Sequence, residues 1–183
     1  MKVSETVLPG VLLIEPQVFG DARGFFLEMY REERYAALGV RGPFVQDNWS
    51  RSRRGILRGL HLQHPNGQGK LVMVTRGSVF DVAVDVRRGS PHFGQWFGCE
   101  LSEENKRQLW IPPGFAHGFC VTSEECDFLY KCTEIYAPEN ERTVLWNDPA
   151  IGVRWPVTQP LLSKKDEAGL PLAQHTLLPE FTA

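Results

Sequence analysis

The chain has 183 residues, of which 42% are hydrophobic and 23% charged, with a formal net charge of −2. That length suits one domain with a sizeable core, and nothing in a bulk charge so near zero points to a nucleic-acid partner, so a small anionic ligand would need a local basic cluster. Seventeen glycines and 13 prolines, scattered along the chain, favour a turn-rich β fold over a helical bundle.

In chain order, the early apolar run VLPGVLLIEP (7–16) contains Pro9 and Gly10 and has no basic lead-in. It is too short to span a membrane, so neither a leader nor a membrane partner is expected. Residues 11–19 predict an edge strand interrupted by Pro16, and GDARG (20–24) a turn. Residues 31–38 predict a short helix stopped by Gly39, and 44–52 a strand leading into a loop. From 55 to 146, strand-like runs recur between Gly, Pro and Asn: ILRGLHLQ, KLVMVTRG, SVFDVAVDV, FGQWFGCEL, RQLWIPPG, AHGFCVTS, CDFLYKCTEIY and TVLWND. Such close spacing means an all-β sandwich or barrel. In SVFDVAVDV, Phe80, Val82, Val84 and Val86 share one face, with Asp81, Ala83 and Asp85 on the other. LSEENK (101–106) reads as a turn, and SKKDEAGLPL as a helical turn capped by Ser163. Cys99, Cys120, Cys126 and Cys132 form no CxxC pair and read as free thiols of a reducing, cytoplasmic compartment.

Two of the five histidines, His61 and His117, lie within apolar runs, whereas His92 and His175 sit in turn or tail contexts and His64 in a polar loop. A lone core histidine is as a rule a satisfied structural residue. His61 has company, however. Gln63 shares its face. Arg58 has the opposite parity, but Gly59 between them is placed to form a bulge that turns both to one side. Lys70 opens the next strand. Pro112, Gly114 and His117 fit the PxGxxH half of a metal-binding cupin pattern, but His61 is followed by Leu62 rather than a second histidine, and no glutamate follows. Two imidazoles without a carboxylate make a poor first-row metal site, so no metal is expected. A pocket holding His61, Lys70, Arg58, His117 and Tyr130 would work by side chains alone. It would combine a base, an oxyanion stabiliser and an acid, suited to proton abstraction beside a carbonyl and reprotonation. If acid and base flank the substrate, the outcome is inversion. These residues do not name a substrate.

The segments FGDARGFFLE, FVQDNWS, LRGLHLQ, QGKLV, FDVAVDVRRGSPHFGQW, RQLWIPPGFAHGF, FLYKCTEIYAPENE and LWNDPAIGVRWP closely resemble, in order, those of the dTDP-4-dehydrorhamnose 3,5-epimerases. The resemblance implies a cupin-like jelly roll (a double-stranded β-helix) with short flanking helices. It further implies one domain over 1–183, with 160–183 as a tail packed on the barrel. The implied substrate is dTDP-4-dehydro-6-deoxyglucose, on the route to dTDP-L-rhamnose and surface glycans, with no cofactor. In the family pattern His61 is the base, Asp166 orients it, Lys70 lies beside the C4 oxygen and Tyr130 is the acid on the opposite face. The same pattern implies substrate contacts from Arg23, Phe26, Glu28, Gln46, Asn48, Arg58, His117, Tyr136, Glu141 and Lys165. It also implies a homodimer in which RGFFLE reaches into the neighbouring subunit's site. Three other readings stand beside this one: an epimerase acting at C3 or C5 alone, a catalytically silent sugar-nucleotide-binding cupin, and a metal-dependent cupin oxygenase, which the missing ligands disfavour.

Overall fold

The computed structural model describes residues 1–182, so the 160–183 tail lies within it except for residue 183. Thirteen strands run in order: β1 Lys2–Glu5, β2 Leu12–Glu15, β3 Val18–Asp21, β4 Gly24–Leu27, β5 Gln46–Arg53, β6 Leu57–Gln63, β7 Lys70–Arg76, β8 Ser78–Asp85, β9 Trp96–Ser102, β10 Gln108–Ile111, β11 Phe115–Val121, β12 Glu125–Cys132 and β13 Glu141–Thr143. There are two short helices, α1 Glu32–Ala37 and α2 Lys164–Glu167. A six-stranded sheet has the order β1-β2-β10-β7-β12-β5, and a five-stranded sheet the order β13-β6-β11-β8-β9. Together they form the expected jelly roll, and β3–β4 stands apart as a two-stranded hairpin.

Alternation along the strands sorts side chains into three apolar layers. Between the sheets, Val72, Val74, Leu109, Ile111 and Phe128 of one meet Val79, Ala83, Phe115, Phe119 and Val121 of the other. Outside the five-stranded sheet, Leu60, Leu62, Val82, Val84, Val86 and Ala116 are covered by Val144, Ile151, Leu172 and Leu178. Outside the six-stranded sheet, Leu12, Ile14, Leu71 and Trp110 pack with Tyr35 and Val40 from the α1 region. The alternating face of β8 is therefore read from both sides. Its all-apolar parity meets the C-terminal segment, while Asp81 and Ala83 point between the sheets.

Three expectations are corrected, for 11–19, 143–148 and His64, and a strand is found at FFLE, where the sequence predicts no element. Residues 11–19 are two strands in different sheets, and β2 is interior, because the short polar β1 pairs along its outer side in the register Lys2↔Glu15 to Glu5↔Leu12. FFLE begins in a strand, β4, which pairs with β3 across the 20–24 turn, where Asp21 Oδ1 accepts from the Arg23 N–H at 2.8 Å. Near 143–148 the strand is 141–143 and the chain then turns. Leu145 N–H donates to Leu170 O instead of continuing a ladder, which ties the tail to the barrel. His64, expected in solvent, is half-buried.

Candidate active site

The site begins with an irregularity in β6. The β6–β11 register runs His117↔His61 and then Phe119↔Arg58, so one extra residue of β6 is accommodated at Gly59–Leu60. Gly59 adopts φ +125°, and a Cβ there would lie 2.5 Å from Gly118 Cα and 2.7 Å from His117 O. Only glycine meets both the dihedral and the contact. The slip in parity turns Arg58 and His61 to the same side while Leu60 and Leu62 stay in the outer apolar layer.

Both then line a cavity of about 510 Å³ between the sheets. Its walls carry eleven of the side chains expected from the sequence. His61, Arg58, His117 and Glu141 come from the five-stranded sheet. Lys70, Tyr130, Gln46 and Asn48 come from the six-stranded sheet, Tyr136 from the loop after β12, and Lys165 and Asp166 from α2. His61 and Tyr130 thus sit on opposite walls. Arg23, Phe26 and Glu28 are not in this cavity. Arg23 pairs with Asp21 at the hairpin turn, Phe26 is 68% exposed, and Glu28 pairs with Arg34.

Helix α2 is one turn long, and Ser163 caps it, as the sequence predicts, by accepting from Asp166 N–H at 3.2 Å. The cap aims the buried Asp166 carboxylate at His61, whose Nε2–H donates to Oδ1 at 2.5 Å. That fixes the tautomer and leaves Nδ1 as the nitrogen free to accept a proton. Burial pushes the His61 pKa down and outweighs the upward pull of Asp166. Burial alone would raise the pKa of Asp166, but hydrogen bonds from His61 and Ser163 hold it below the ordinary carboxylate value. Lys70 is likewise lowered by burial, which outweighs the carboxylates and the Cys132 thiol around it. Tyr130 is raised, again mainly by burial, so it stays a proton-bearing phenol.

Polar chains brace the rest of the cavity. Tyr136 Oη donates to Glu141 Oε2 at 2.9 Å, and Lys165 Nζ to Glu141 Oε1 at 2.8 Å. Tyr136 N–H donates to Gln46 Oε1, and Gln46 Nε2 to Asn48 Oδ1, both at 2.9 Å. Arg58 donates from Nε and an Nη to Ser52 Oγ, a neutral partner, which leaves its charge available to an anion.

Sequence reasoning missed Asp81. Fully buried, it accepts from His117 Nε2 at 2.9 and 3.1 Å, and its signal was a carboxylate on the inner face of β8, where Asp85 is the other. Gln63, noted only for sharing a face with His61, instead holds the 135–137 loop. Its Nε2 donates to Ile135 O at 3.1 Å, and its Oε1 accepts from Ala137 N–H at 2.8 Å. Among the described residues, no three His, Cys, Asp or Glu side chains converge as a metal-ligand set.

A jelly roll whose inter-sheet cavity holds a carboxylate-bonded imidazole opposite a half-buried phenol defines a cupin-like protein with a pocket of ionisable side chains. A sequence profile of the dTDP-4-dehydrorhamnose 3,5-epimerases matches residues 5–174. The chain belongs to that family. It is 57% identical over 181 residues to dTDP-4-dehydrorhamnose 3,5-epimerase of Pseudomonas aeruginosa, covering 98% of this chain and 100% of that one. The crystal structure of an epimerase from Legionella pneumophila in complex with dTDP-4-keto-L-rhamnose superposes with a TM-score of 0.97 at 52% identity, covering 100% of this chain and 99% of that one. A dTDP-4-dehydrorhamnose 3-epimerase of Streptomyces niveus is 40% identical over 186 residues, 99% of this chain and 90% of that one.

Proposed function

We propose that this chain inverts C3 and C5 of dTDP-4-dehydro-6-deoxyglucose to give dTDP-4-dehydrorhamnose, without a metal or organic cofactor. The observation that carries the reading is the Asp166-held His61 facing Tyr130 across one cavity. C3 and C5 both flank the C4 ketone, so one carbonyl acidifies both protons. Neutral His61 takes a proton at Nδ1, and Asp166 stabilises the imidazolium at Nε2. The electron pair moves onto the C4 oxygen, where Lys70 stabilises the enolate. Tyr130 then returns a proton from the opposite wall, and solvent resets both groups between steps. At the cavity mouth, Arg58 and Lys165 suit the diphosphate, with Gln46, Asn48, His117, Tyr136 and Glu141 around the rest of the ligand.

The same reading includes a homodimer. Phe19, Phe25 and Phe26 of the hairpin and Trp49 of edge strand β5 are each at least 60% exposed, large apolar side chains that a partner subunit would cover. In the dimer, the hairpin would bring Arg23, Phe26 and Glu28 to the partner's cavity.

Proton NMR of dTDP-4-dehydro-6-deoxyglucose with enzyme in deuterated water tests the activity. Exchange and inversion at both C3 and C5 are expected. Exchange at one carbon only would give the single-site reading, which the Streptomyces niveus relative motivates, and exchange at neither would leave a binding protein.

A further inference from the structure

The capping serine of α2 makes a contact that a cap does not require. Besides accepting from Asp166 N–H, Ser163 Oγ donates to Asp166 Oδ2 at 2.7 Å, while Oδ1 of the same carboxylate receives His61 Nε2–H. Each carboxylate oxygen is therefore engaged once, in the chain Ser163–Asp166–His61. Asp166 is only 2% exposed, whereas Ser163 lies exposed at the rim and lines the cavity mouth. The hydroxyl bonds the carboxylate and not the imidazole, so the serine has no base to activate it and is not a nucleophile.

We propose that Ser163 is a positioning residue for the epimerisation that acts through Asp166: its hydroxyl, bonded to Oδ2, draws off part of the carboxylate charge that the His61 imidazole senses. This deepens the reading of His61 as the base and rests on it. The groups facing His61 are Asp166 and Lys165 from α2, Lys70 from β7, Glu141 from β13, and His117 from β11, its partner across the ladder. Among these, the Asp166 carboxylate bonds the ring directly. A donor on its second oxygen stabilises the carboxylate and so weakens its hold on a proton shared with His61.

Two roles for Ser163 predict opposite signs. If the hydroxyl only caps the helix, its loss lets Asp166 drift, His61 keeps its burial but loses its counter-charge, and its pKa falls. If the hydroxyl tempers a carboxylate that stays in place, its loss strengthens the carboxylate and the His61 pKa rises. The test is the acid limb of kcat/KM for dTDP-4-dehydro-6-deoxyglucose, together with NMR titration of labelled His61 in the full-length enzyme, for Ser163→Ala, Ser163→Gly and Ser163→Thr. Glycine is itself a tolerated cap, so Ser163→Gly removes the hydroxyl with the least damage to α2. The expected result is an upward move of about half a pH unit in the alanine and glycine variants, with the wild-type value restored by threonine. An unmoved pKa, or a fall, overturns the proposal, and the NMR titration decides even if a variant turns over too slowly for kinetics. A His61→Ala enzyme that exchanges deuterium at the wild-type rate would remove the underlying reading. An inactive His61→Ala enzyme with an unmoved His61 pKa in the serine variants would overturn only the role given to Ser163.

Discussion

On the proposed mechanism His61 and Tyr130 carry separable halves of the reaction, and their variants should differ in kind. His61→Ala removes the base from a shielded cavity, so turnover should fall by at least ~10²-fold, with deuterium exchange at C3 and C5 lost together. Tyr130→Phe keeps the ring and deletes the proton donor. Enolates should still form and be reprotonated by His61 on the original face, so exchange persists while inversion falls. Circular dichroism should show both variants folded. The sign of the pH dependence follows from burial. The protonated imidazole cannot accept a proton, and burial disfavours that form, so the base stays neutral to lower pH than an ordinary histidine. The acid limb of kcat/KM should therefore fall below 6.5, the ordinary value for histidine, and a limb above it would contradict the account. The position of His61 in a polar cavity was legible in the sequence, because Gln63, Arg58 and the bulge-prone Gly59 marked an apolar strand with a polar inner face. Its partner carboxylate was not: Asp166 lies 105 residues away, and only the family pattern pointed to it.

At the scale of elements, the bulge in β6 and the β3–β4 hairpin make the strongest claims. Gly59→Ala would force a side chain to a positive φ and into the Gly118 backbone. It should destabilise the fold by about 2 kcal/mol or more, lowering the urea midpoint, and should cost activity by swinging Arg58 and His61 apart. The hairpin claim is tested by subunit mixing. Arg23→Ala should weaken substrate binding although Arg23 is far from His61 within the chain. Arg23→Ala and His61→Ala subunits, mixed under conditions shown to exchange them, should regain activity through one intact composite site. No recovery would refute the shared segment. Long elements such as β8, with its alternation, and the apolar runs of β11 and β12 were plain from their pattern. The misses were elements whose pattern is set by their partners. Strand β1 is short and polar and is held by pairing with β2, β4 is held by its hairpin, and β13 is cut short because the tail competes for Leu145.

At the scale of the whole molecule, no three His, Cys, Asp or Glu side chains among the described residues converge as a metal-ligand set. EDTA should leave activity intact, and enzyme purified without a metal-affinity step should contain substoichiometric metal. Activity lost to the chelator and restored by one metal would overturn the proposal of a cofactor-free reaction. No helix among the described residues is long and apolar enough to cross a membrane.

The walls of the cavity also bear on how the enzyme comes alive. Its bracing contacts join residues 84 positions apart at Asn48–Cys132 and 105 apart at His61–Asp166, and the proposed acid and base, Tyr130 and His61, belong to different sheets. No contiguous stretch of chain contains a working half, so no early, locally ordered species can be partly active. Chains dominated by such distant pairings also fold slowly. On dilution from denaturant, catalysis should never lead the recovery of the fluorescence of the five tryptophans. Any turnover ahead of that signal would mean that a fragment of the barrel can work alone.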